Sequence, residues 1–309
     1  MKKFIGKTLL FSLLLISILV VLNFCLPANP QGYNQAYGLK GRLMQTTPSP
    51  RVILVGGSNV AFGFDSEMLE DSLGIPVVND GLHAGIGLKF MMDDLFSEVR
   101  PGDILVISPE YNQFFGKLAY GGLPLAEVVT TIAPEKISLL NLAQIFALVS
   151  NIPGNLKSRL QFHLNFLLHK KNPLSDAVYS LGSFNSHGDM CRHWKLPAGP
   201  YAQLPPIDDD FNRMMADRFI EQIGVLKQMG CRVFLYPPAI SESSYRHMED
   251  NIDEVFQFLR QSGSPFRLSA RQCVLADTLC FDTPYHLTHT GAVRRTQALI
   301  KDLKKYMNK

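Results

Sequence analysis

A serine hydroxyl is a weak nucleophile at neutral pH and needs a base beside it. This chain carries a serine and a histidine suited to that pairing, far apart in sequence. Ser58 follows Arg51-Val52-Ile53-Leu54-Val55-Gly56-Gly57, a β-branched apolar run that breaks into a glycine turn, and polar, helix-forming residues begin at Asp65. The pattern predicts a strand, a tight turn and a helix. Ser58 is then exposed at the carboxyl end of the strand, where open α/β sheets place their chemistry. Backbone N–H groups at the start of the following helix could stabilise a developing oxyanion. The candidate base is His286, in Phe281-Asp282-Thr283-Pro284-Tyr285-His286-Leu287-Thr288-His289-Thr290-Gly291. Pro284 interrupts any helix through this stretch. A loop can turn the Asp282 carboxylate onto the imidazole, fixing its tautomer and stabilising the imidazolium formed during attack. The chemistry implied is ester hydrolysis or acyl transfer through a serine, which requires no cofactor.

Such residues must be brought together by a sheet. Strands are expected over 51–55, 76–79, 103–108 and 231–236, with a weaker one near 274–280. Helices are expected over 65–73, 87–99, 209–229, 245–262 and 288–307. Asp103-Ile104-Leu105-Val106-Ile107-Ser108 is apolar throughout its middle, as a strand covered on both faces should be. Strands separated by helical stretches favour right-handed crossovers, so the fold class is α/β with a parallel sheet flanked by helices. The alternation breaks between about 115 and 208. Residues 122–170 read as helical and apolar, and Phe162 and Phe166 sit at core-like helical spacing. The stretch 173–206 is irregular and holds the only tryptophan, Trp194. This insertion at the sheet's carboxyl edge reads as a lid, a substrate groove or a packing subdomain.

Residues 8–26 form an apolar run preceded by Lys2, Lys3 and Lys7. At about 1.5 Å per residue it can cross a hydrocarbon core of about 30 Å, and the lysines hold the amino terminus in the cytoplasm. The expectation is a single-pass protein of the cytoplasmic (inner) membrane. Residues 1–7 are its cytoplasmic tip, 8–26 an uncleaved signal anchor, 27–50 an irregular linker and 51–309 an extracytoplasmic, periplasmic domain. A cleaved signal peptide is the rival, but no small-residue cleavage site precedes Pro27. Of the 30 basic residues, three lie before the apolar run, while all 27 acidic ones follow it. The exported part is formally neutral, which argues against nucleic-acid binding. Cys191, Cys231, Cys273 and Cys280 are exported, so disulfides or buried free thiols are both open.

The residues resemble the SGNH/GDSL hydrolase superfamily, a three-layer, flavodoxin-like α/β sandwich. Gly57-Ser58-Asn59 matches its nucleophile block in position, with glycine in place of aspartate. Asn79-Asp80-Gly81 matches the second block, and the family places an oxyanion-hole N–H at the residue matching Gly81. Asp282 and His286 match the last block, with one extra residue between them compared with Asp-x-x-His. The third block departs: where the family has Gly-x-Asn-Asp, this chain has Ser108-Pro109-Glu110-Tyr111-Asn112. The resemblance implies a Ser58–His286–Asp282 triad, with an oxyanion hole formed by the Ser58 and Gly81 N–H groups and the Asn112 side chain. It spans roughly 51–112 and 209–305. Within the superfamily the chain is similar to membrane-anchored, outward-facing members, the DltD-like and AlgJ/AlgX-like proteins. That implies acyl esters, O-acetyl or aminoacyl, on an acylated glycan or other cell-envelope polymer, and a membrane-bound O-acyltransferase as partner.

Competing readings concern the same residues. The Gly56-Gly57-Ser58 turn lacks the lysine and spacing of a P-loop, and Gly81, Gly85 and Gly87 make no dinucleotide fingerprint. His286, His289 and Asp282 lack a further metal ligand, and His289 is expected on the first turn of the last helix, exposed. His83, Glu110 and Tyr111 fall at the sheet's carboxyl edge and read as substrate-binding residues or as loop anchors. The second function class is a catalytically inactive scaffold that keeps the hydrolase fold. The altered blocks favour it, and the intact Ser58, His286 and Asp282 oppose it.

Overall fold

The computed structural model describes residues 1–169 and 178–307. In chain order the helices are α1 (Lys2–Cys25), α2 (Ala36–Thr46), α3 (Ser58–Ala61), α4 (Ser66–Leu73), α5 (Leu88–Leu95) and α6 (Leu123–Glu127). They continue with α7 (Leu142–His169), α8 (Arg213–Gln228), α9 (Glu242–His247), α10 (Glu249–Gln261) and α11 (His289–Met307). The strands are β1 (Val52–Gly56), β2 (Val77–Asn79), β3 (Ile104–Ser108), β4 (Arg232–Leu235), β5 (Ile240–Ser241) and β6 (Val274–Leu275).

Strands β1 to β4 form one parallel sheet in the order β2-β1-β3-β4. Their side chains alternate between two cores, which is why these strands read as unbroken apolar runs. Ile53, Val55, Leu105 and Ile107 pack with α5, α8 and α10, whereas Val52, Leu54, Ile104 and Val106 pack with α4 and α11. The chain leaves β1 for β2 on one side and then crosses back over β1 to β3. The winding therefore reverses between β1 and β3, and at such a reversal open α/β sheets bind ligands beyond the strands' carboxyl ends. Gly56 lies opposite Ser108 in the register, so Ser58 and Glu110 emerge side by side.

The weak strand near 274–280 shrinks to β6, which pairs with β5 in a separate two-stranded sheet. Residues 27–50 differ more from expectation. Instead of an irregular linker they contain α2, whose Ala36, Lys40 and Met44 are buried at intervals of four. Lys40 hides this face in the sequence because it reads as polar. Its ammonium donates to the carbonyls of Asn79 and Gly188, each at 2.7 Å, and so fastens α2 to the end of β2. The 115–208 stretch is largely helical as far as α7. After residue 178 it becomes a loop against the sheet edge, where Asn79 N–H donates to the His187 carbonyl at 2.8 Å. Residues 173–177 of the irregular stretch lie outside the described residues. Cys25, Cys191, Cys231, Cys273 and Cys280 are all free thiols.

Candidate active site

The turn after β1 is tight because two glycines let other atoms approach. A Cβ on Gly56 would lie 2.6 Å from the Ser108 carbonyl, and one on Gly57 would lie 2.7 Å from Glu110 Oε1. Ser58 opens α3, and Phe62 closes that turn by donating its N–H to the Ser58 carbonyl at 2.9 Å. Asn59 is fully buried and donates through Nδ2 to the Ser108 carbonyl at 3.0 Å, tying the turn to β3.

The loop before α11 brings Asp282 and His286 together. His286 Nδ1–H donates to Asp282 Oδ1 at 2.8 Å. Tyr179, from the insertion, donates its hydroxyl to Asp282 Oδ2 at 2.6 Å and lies 3.0 Å from His286 Nδ1. Burial works against the Asp282 charge, but the hydrogen bonds from His286 and Tyr179 outweigh it and hold its pKa below the ordinary carboxylate value. His286 stacks on Phe62 with ring centroids 3.9 Å apart and planes 7° apart. The imidazole therefore rests on the residue that closes the Ser58 turn. His193 packs on Phe62 and Phe281, and its ring Nε2 lies 2.8 Å from the Leu287 carbonyl. Burial lowers its pKa to about 4, so it is neutral at physiological pH.

Arg295 of α11 comes up beneath the turn. Buried there, it donates to the Asn59 carbonyl at 2.7 Å, Ser108 Oγ at 2.8 Å and the Pro237 carbonyl at 3.3 Å. Burial lowers its pKa to about 10, which leaves it charged. On the other flank Asp189 accepts from Ser66 Oγ at 2.6 Å and from Asn79 Nδ2 at 2.7 Å. These two bonds fasten the 178–196 loop to α4 and β2. Sequence reasoning missed Tyr179, Phe62, His193, Asp189 and Arg295 as parts of this assembly.

The oxyanion donors are arranged differently from the expectation. The Ser58 N–H makes no hydrogen bond among the described residues. The Gly81 N–H is committed to Asn79 Oδ1 at 3.0 Å, an Asx turn that closes on itself. Asn112 makes no bond to the Ser58 turn, and its Oδ1 is buried without a partner. Glu110 stands there instead. Its Oε1 lies 3.4 Å from Ser58 Oγ and accepts the Asn59 N–H at 3.3 Å. Gly57 in place of aspartate leaves the room that this carboxyl fills.

Tyr111 faces the core rather than a pocket, fully buried between Phe256 and Phe266. His83 is at the surface, and its Nδ1 accepts the Gly85 N–H at 2.9 Å, which leaves the proton on Nε2. His289 begins α11, stacked on Trp194 at 4.3 Å and 3.4 Å from Asp65.

Burial raises the Glu110 pKa, while the Asn59 N–H, His286 and the Ser58 hydroxyl lower it less strongly. The native chain thus holds this proton more tightly than the unfolded one. The resulting stabilisation is complete below the unfolded pKa of about 4.3 and is lost as pH rises through the folded value. Glu110→Gln keeps the shape and removes the titration. Thermal unfolding should show the variant gaining stability over the parent as pH is raised from the unfolded value of about 4.3 up to the folded one. A difference that stays flat across that range would mean that Glu110 ionises as freely folded as unfolded.

No family model matches this chain, and no curated protein or solved structure matches it.

Proposed function

We propose that the chain is a membrane-anchored, outward-facing serine esterase or O-acyltransferase of the SGNH/GDSL kind, acting on acyl esters of a cell-envelope glycan. One observation carries the reading: an Asp282–His286 pair, reinforced by Tyr179, is stacked on the residue that closes the Ser58 turn. A purely structural histidine has no need of a carboxylate and a hydroxyl converging on one ring nitrogen. The winding reversal between β1 and β3, where open sheets bind ligands, supports the same site.

In this mechanism Ser58 Oγ attacks the acyl carbonyl as its proton passes to His286 Nε2. Asp282 stabilises the imidazolium, and the Ser58 N–H receives the oxyanion. Collapse breaks the ester C–O bond, His286 returns the proton to the departing alcohol, and an acyl-serine remains. Water or a sugar hydroxyl then attacks that ester, giving its proton to His286, and Ser58 leaves with the proton restored. Glu110, whose pKa is raised by burial, would oppose the charge of the oxyanion whenever it is ionised.

The apolar helix α1 is long enough to span a membrane, with 6% of its most apolar window buried. Retention of α1 is supported by Asn23, which is fully buried against α7 and hydrogen-bonded to Asn155 at 3.1 Å. Cleavage after it would strip that partner from the domain.

The scaffold reading has its own observation: the Gly81 and Asn59 N–H groups both have partners. Labelling by a fluorophosphonate, together with release of acetate from an acetylated oligosaccharide, separates the two. An enzyme is labelled on Ser58 and loses label and release in Ser58→Ala. Absence of labelling and release in the full-length parent would favour the scaffold.

A further inference from the structure

Helix α7 presents three faces. One carries Leu148, Ile152, Asn155, Leu156 and Arg159, all buried against the rest of the chain. Another is polar. The third is bare and apolar: Leu142, Phe146, Val149, Leu160, Leu164 and Leu167 are all exposed, and Leu142, Phe146 and Leu167 are about three-quarters so. At about 100° per residue these six fall within an arc of about 60°, a single stripe along a helix about 42 Å long. A monomeric soluble domain rarely leaves such a stripe uncovered.

What lies beside the stripe indicates its occupant. The carboxyl end of α1 is fastened to the middle of α7. Asn155 holds the Asn23 side chain, and Arg159 donates to the carbonyls of Asn23 and Leu26, the latter at 2.8 Å. His163 Nε2 lies 3.0 Å from the Pro27 carbonyl. These bonds satisfy the carbonyls that the end of any helix leaves open. They also fix α7 where α1 would leave the hydrocarbon.

We propose that α7 is an interfacial helix whose bare stripe lies in the outer leaflet, seating the catalytic domain directly on the lipid surface. The inference rests on α1 being a membrane span. A partner protein would need a groove matching the whole stripe, whereas the bilayer already gripped by α1 needs none. Lys157 falls on the same side, where a long basic side chain reaches the headgroups with its stem along the apolar surface. Amphipathic helices with one leucine- and phenylalanine-rich face bind at this depth. A site held at the membrane surface suits a polymer substrate that is itself tethered there.

The test uses the full chain in phosphatidylcholine vesicles with brominated acyl chains. The single native tryptophan makes it simple. In a Trp194→Phe background, Phe146→Trp, Leu164→Trp and Leu167→Trp place one reporter each on the stripe, at bare positions that tolerate the ring. Met214→Trp on α8, where Met214 is 72% exposed, is the aqueous control. The stripe reporters should lose about half their emission or more while the control loses almost none. Flotation of the vesicles reports α1 independently. A chain that floats, with stripe reporters no more quenched than Met214→Trp, overturns the interfacial helix and leaves the anchor standing. A chain that does not float overturns the anchor, and the seating of α7 falls with it.

Discussion

His286→Ala is expected to lower kcat/KM for a small activated acetyl ester by about a thousandfold or more, and Ser58→Ala by a similar factor. The size is what loss of the base or nucleophile costs a working triad. With His286 Nδ1 bonded to Asp282, Nε2 carries the lone pair, and the ring lies flat on Phe62. Asp282→Asn should cost nearly as much, since an amide can hold the wrong tautomer with the same shape. Tyr179→Phe removes one hydrogen bond to a carboxylate that keeps another, and a loss of about tenfold is expected. That graded series distinguishes a triad from a general electrostatic effect. Full activity in His286→Ala would remove His286 as the base, whatever Ser58→Ala did.

The second large effect concerns stability. Arg295→Ala is expected to destabilise the domain by about 3–5 kcal/mol, because it takes this donor from the buried Asn59 and Pro237 carbonyls, leaves Ser108 Oγ with only Asn59 Nδ2 at 3.3 Å, and opens a cavity under the Ser58 turn. For a domain of this size each kcal/mol moves the unfolding midpoint by about 2–4 °C, so a fall of roughly 6–20 °C should be seen. Arg295→Lys keeps the charge but loses the planar fork and should fall between the two. An Arg295→Ala midpoint within a degree or two of the parent would mean that the guanidinium is a passenger.

The four strands of the main sheet could be read from composition because both faces of each are covered, so a short apolar run bounded by turn residues marks each one. The turns that carry Ser58 and the Asp282–His286 pair were legible for a related reason, since glycine and proline punctuation marks where a chain must turn. Helix α2 was not legible. One of its three buried positions is Lys40, whose ammonium is held by carbonyls that only the folded chain supplies. Glu110 was placed at the right edge of the sheet, but its approach to Ser58 depends on β1 lying beside β3 in a register that pairs Gly56 with Ser108. Asn112 and Tyr111 follow it by two residues and one, and in the turn over 111–114 Tyr111 goes into the core while Asn112 makes no bond to the Ser58 turn. Tyr179 belongs to an irregular stretch, where no periodicity says which way a side chain faces. Arg295 did leave a trace: it shares a helix face with Ala292, Leu299 and Leu303, all buried, and a lone cation there calls for acceptors.

The Ser58 turn follows β1 directly, while His286 and Arg295, which pack against it, come only after β6. A polypeptide emerging amino terminus first carries a complete β1 turn long before either arrives. Until they arrive, the turn lacks both the ring that stacks on Phe62 and the guanidinium that binds the Asn59 carbonyl. In the serine-hydrolase reading proposed above, Ser58 would therefore gain its base only once the segment leading into α11 has folded against β1.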